Sequence, residues 1–67
     1  MTKKEELLID ACKLLNVRLE PTMVVMACLR TEEQQATMLD WIRKHYKENP
    51  TEDEIIEIAE AIMEKVK

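Results

Sequence analysis

Three short phrases fix most of what this chain can fold into: Thr2-Lys3-Lys4-Glu5, Thr31-Glu32-Glu33-Gln34 and Thr51-Glu52-Asp53-Glu54. Each has the form of a capping box. The threonine hydroxyl satisfies an orphan backbone N–H of the first turn, and the Glu or Gln three residues on reaches back to the threonine N–H. Acids inside the first turn also suit the positive end of the helix dipole. Each phrase precedes a run with apolar residues at three- and four-residue spacing, so each marks a helix start.

A fourth start lies between the first two. Asn16 suits a left-handed helix end, and Pro21 suits the first turn of a new helix, where its missing N–H costs nothing. Asn49-Pro50 ends the third helix, because the residue before proline avoids helical geometry. The spacing therefore predicts helices over about 3–15, 21–30, 32–48 and 52–66. The chain has no Gly and no Phe, and it is rich in Leu, Ile, Met, Ala, Glu and Lys. These residues lose little on entering a helix. The expected fold class is all-α: a compact bundle of four short helices in a single helical domain, 1–67.

The periodic faces assign a core. Leu7, Leu8, Ala11, Cys12, Leu14 and Leu15 form the apolar face of the first helix. Ala36, Leu39, Ile42 and Tyr46 form the inner stripe of the third, with Met38 and Trp41 on its flanks. Ile55, Ile58, Ala59, Ile62 and Val66 line the fourth. The second helix differs, since Met23-Val24-Val25-Met26-Ala27-Cys28-Leu29 has no polar side. A helix that is apolar all round is surrounded. The expectation is therefore that the second helix is central. The competing expectation is that three short neighbours cover it incompletely and the rest pairs with a second copy or another protein.

Composition narrows the function classes. The formal net charge is −4, and the whole excess lies in residues 51–67, where six acids face two lysines. Such a balance argues against nucleic acid, since phosphate neutralisation supplies most non-specific affinity. A helix-turn-helix reading, with Gln34, Gln35 and Thr37 of the third helix at base edges, is the alternative kept open. Glu5, Glu6 and Asp10 interrupt any signal-peptide core. Seven apolar residues fall short of the roughly 20 that span a bilayer. A cytoplasmic chain without membrane contact is expected.

No catalytic motif appears. Cys12, Cys28 and His45 do not complete a zinc ligand set, so the cysteines are expected to be inert thiols rather than a disulfide or a metal site. No cofactor is expected. His45, in Arg43-Lys44-His45-Tyr46-Lys47, completes a cationic last turn that complements the helix dipole. The candidate contact residues are Met23, Met26, Met38 and Trp41: adaptable thioethers and an amphipathic anchor. Asp53, Glu57, Glu60 and Glu64 follow i, i+4, i+7, i+11 and form a candidate acidic docking row, so an acidic inhibitor that docks on a basic surface through the fourth helix is a further alternative. The expected function is a non-enzymatic protein-interaction or small regulatory module, with a homodimer through the second helix as one form of it.

In texture the chain is rich in lysine and glutamate, with a Thr-Glu-Glu-Gln helix start at 31–34 and an Asn-Pro-Thr-Glu break at 49–52. It resembles the small, acidic, all-helical reading frames common in bacterial and prophage genomes. That resemblance implies no activity and carries no functional residue.

Overall fold

The structure, a computed structural model, describes residues 2–66. Among them are four α-helices: α1 (Lys3–Leu14), α2 (Leu19–Cys28), α3 (Glu32–His45) and α4 (Glu52–Lys65). A 3₁₀ turn, Tyr46–Glu48, extends α3. The fold is an all-α bundle.

The helix ends follow from local chemistry. At Thr2 and at Thr31 both halves of the capping box form. At Thr51 the hydroxyl accepts from the Glu54 N–H, but the Glu54 carboxylate meets the Thr51 hydroxyl instead of its N–H. α1 closes with Asn16 at φ 60°. Its N–H reaches the Lys13 carbonyl at 3.0 Å, and the Val17 N–H reaches the Cys12 carbonyl at 2.9 Å. This is the Schellman pattern, with asparagine in the position glycine usually takes. α2 starts two residues before Pro21, which still lies in the first turn where its missing N–H has no helical partner to lose. Asn49, at φ 51°, ends the 3₁₀ turn before Pro50.

The helices close a ring. α1 packs on α3, α3 on α4, α4 on α2 and α2 on α1; among the described residues α2 does not pack on α3, nor α1 on α4. The α1–α3 edge therefore lies opposite the α2–α4 edge. The core inside the ring joins Leu8 and Cys12 of α1, Val25 and Cys28 of α2, Met38 and Ile42 of α3, and Ile55, Ala59 and Ile62 of α4, with Val17 and Leu29 from the links.

This ring corrects the central placement of the second helix. Four elements in a ring leave no middle position, so each helix has two neighbours. α2 buries Thr22, Val25 and Cys28, while Leu19, Met23 and Val24 on its other side are 74%, 61% and 43% exposed. The third helix is also rotated from its expected phase. Gln34, Gln35, Met38 and Ile42 face the core, and Tyr46 is half-exposed. The two glutamines explain the rotation, because both turn inward to hold backbone atoms of neighbouring segments. Gln34 Nε2 donates to the Val66 carbonyl at 2.6 Å, and Gln35 Nε2 to the Leu29 carbonyl at 2.9 Å.

One polar clasp ties the starts of α2 and α4. Arg18 donates to Glu52 through its backbone N–H at 2.7 Å and through Nε and Nη2. The guanidinium hydrogen bonds hold the Glu52 carboxyl below its ordinary value.

Candidate interaction surfaces

The outer side of α2 is the first candidate surface. Leu19, Met23 and Ala27 follow at four-residue spacing, and Val24 lies beside them; all four are exposed. Met26 is half-buried and packs against the core. The flank of α2 that carries Cys28 lies near α4: burial raises the Cys28 thiol, and the nearby charge of Glu60 raises it further. Asp53, Glu57, Glu60 and Glu64 are all exposed on α4. Because α2 packs on α4, the apolar ridge and the acidic row belong to the same edge of the bundle.

A second surface lies on the opposite edge. α1 and α3 run in the same sense, and two depressions of about 410 and 400 Å³ follow one another along their seam. Ala11, Leu15 and Ile42 line one and Leu7, Ala36 and Leu39 the other; Arg43 borders both. Leu14, 85% exposed, and Tyr46, 49% exposed, stand at the rim. Lys3 and Lys4 border the far end. The one acid lining this groove, Asp40, is bridged by Arg43 at 2.7 Å and Lys44 at 3.0 Å, which hold its carboxyl below the usual range.

Sequence reasoning missed this groove. It assigned Leu7, Leu14, Ala36 and Tyr46 to core faces, yet all four are exposed and the apolar arc of α1 is broader than one core contact requires. That breadth was the available signal.

The other expected site residues fall as follows. Met38 is fully buried, so its place in a contact surface is corrected: it shares the inner phase of Ile42, four residues on. Trp41 is half-buried, and its ring stacks on His45 at 4.7 Å between centroids. His45 Nδ1 lies 3.2 Å from Glu48. Gln34 and Gln35 are buried and bonded within the chain, so neither presents an edge to a base; Thr37 is exposed, but its hydroxyl donates back to the Glu33 carbonyl.

Cys12 and Cys28 are free and buried, and burial pushes both thiols up. Among the described residues no cluster of three His, Cys, Asp or Glu side chains is placed to hold a metal ion. Among them, too, no helix is long and apolar enough to cross a membrane. Compared with known proteins, the chain matches no family, no curated protein and no solved structure.

Proposed function

We propose that this chain is a non-enzymatic interaction module that associates with further copies of itself through the outer side of α2. The observation that carries the reading is the exposed stripe Leu19, Met23, Val24 and Ala27. Burying such side chains contributes about 25 cal/mol per Å² of apolar surface, which favours covering them. A chain of this size buries a smaller fraction of its surface than a large domain does, so association also adds to its core.

The test is mass in solution by light scattering across a concentration series. The wild-type chain is expected to rise above the 7.9 kDa of one copy. Met23→Glu, at an exposed position, should stay at 7.9 kDa with an unchanged far-ultraviolet spectrum. A wild-type chain still at 7.9 kDa near about 1 mM, where contacts of only about 4 kcal/mol are visible, would remove the reading.

A further inference from the structure

The α2 ridge and the α1–α3 groove differ in the charge that borders them. Leu19, Met23 and Val24 stand out along α2, and Asp53, Glu57 and Glu60 are exposed on α4, the helix packed against it. The groove is apolar inside and bordered by Lys3, Lys4 and Arg43, while its single acid, Asp40, is already bridged twice. The lengths agree as well. α2, with 10 residues, is about 15 Å long, and α1, with 12, offers a seam of about 18 Å.

Resting on the self-association reading above, we infer that the α2–α4 edge of one copy seats in the α1–α3 groove of the next, head to tail. Pairing two α2 ridges face to face would bring the acidic rows of both copies together. Each chain carries a net −4, all of it from residues 51–67. Like charges in that position oppose association. Seating the ridge in the groove instead brings Glu57 and Glu60 toward the lysines and Arg43 of the next copy. Because the ridge and groove lie on opposite edges, one contact leaves a ridge open at one end and a groove at the other. Such a heterologous contact closes into a ring or continues as a filament, and does not stop at two.

The deciding experiment mixes two blocked variants. Met23→Glu spoils the ridge and leaves the groove; Leu14→Glu spoils the groove and leaves the ridge. Both positions are exposed, at 61% and 85%, and circular dichroism checks that both variants keep their helices. Each variant alone is expected to stay at 7.9 kDa, and the equimolar mixture to reach twice that mass and no more. Wild type is expected to pass twice 7.9 kDa, and added salt to weaken its assembly by screening the rim charges.

Leu14→Glu assembling like wild type would overturn the head-to-tail contact. So would a wild-type assembly that stops at two copies and strengthens with salt. In either case self-association through α2 would stand. A wild-type chain that remains at the mass of one copy would remove both.

Discussion

Gln34 is a polar residue in a core position, and its amide is used on both sides. Its Oε1 accepts from the Arg30 N–H at 2.8 Å and the Thr31 N–H at 3.1 Å, and its Nε2 donates to Val66 near the far end of the chain. One side chain thus caps α3, fixes the α2–α3 link and holds the end of α4. Truncation leaves two donors and one acceptor without their partner. Gln34→Ala is therefore expected to cost about 2–3 kcal/mol in denaturant unfolding, well above a typical exposed helix substitution. A loss under about 0.5 kcal/mol would mean water replaces the amide at no cost. Gln35 works differently. Its Nε2 holds the Leu29 carbonyl, but its buried Oε1 has no partner among the described residues. The capping role of Gln34 was legible in Thr31-Glu32-Glu33-Gln34. Its bond to Val66 was not, because nothing local records a contact between residues so far apart in the chain.

At the scale of the element, ends were easier to read than faces. The threonine starts, the asparagine stop and the break at Pro50 are short-range chemistry, and the helices begin and end within a few residues of where those signals place them. Asn16 gives the corresponding prediction. Its left-handed backbone suits glycine and opposes a β-branched side chain. Asn16→Gly should leave the thermal midpoint unchanged or raise it slightly. Asn16→Val should lower stability by about 1–2 kcal/mol. Equal stability of the two variants would show that the Schellman bonds do not depend on this residue's conformation. Faces were harder to read. An apolar stripe marks where a helix is able to be buried, not where it is buried. In α1 the stripe includes Leu7 and Leu14, which the ring leaves outside, and in α3 two glutamines displace Tyr46 from the inner phase.

At the scale of the whole molecule, acid sensitivity follows from the carboxylates that accept hydrogen bonds in the fold, two of them at helix turns and Glu52 between the starts of α2 and α4. Hydrogen bonds hold three carboxyls below their ordinary values: Glu5 through the Thr2 N–H and hydroxyl, Asp40 through Arg43 and Lys44, and Glu52 through Arg18. A carboxyl depressed in the folded state contributes stability above its unfolded value and loses it as pH falls through the folded value. With ordinary values of 4.5 for Glu and 3.8 for Asp, the loss begins below about pH 5. Denaturant midpoints should thus fall between about pH 5 and pH 3, and less steeply in Glu52→Gln, which no longer titrates at the clasp. A variant as acid-sensitive as wild type would show that the clasp does not contribute.

The sequence by itself determined that the chain is helical, where each helix starts and stops to within a few residues, that α2 lacks a polar side and that the negative charge gathers on α4. These are properties of residues a few positions apart, set by hydrogen bonds and side-chain spacing within one turn or two. The tertiary structure alone decided that α2 sits at a corner rather than in the middle, that α3 turns its glutamines inward, and that α1 and α3 enclose a cation-bordered groove opposite the acidic edge. Those outcomes depend on which helices become neighbours. In a ring of four, each helix is covered on two sides only, so apolar surface that no periodicity distinguishes from core is left facing out.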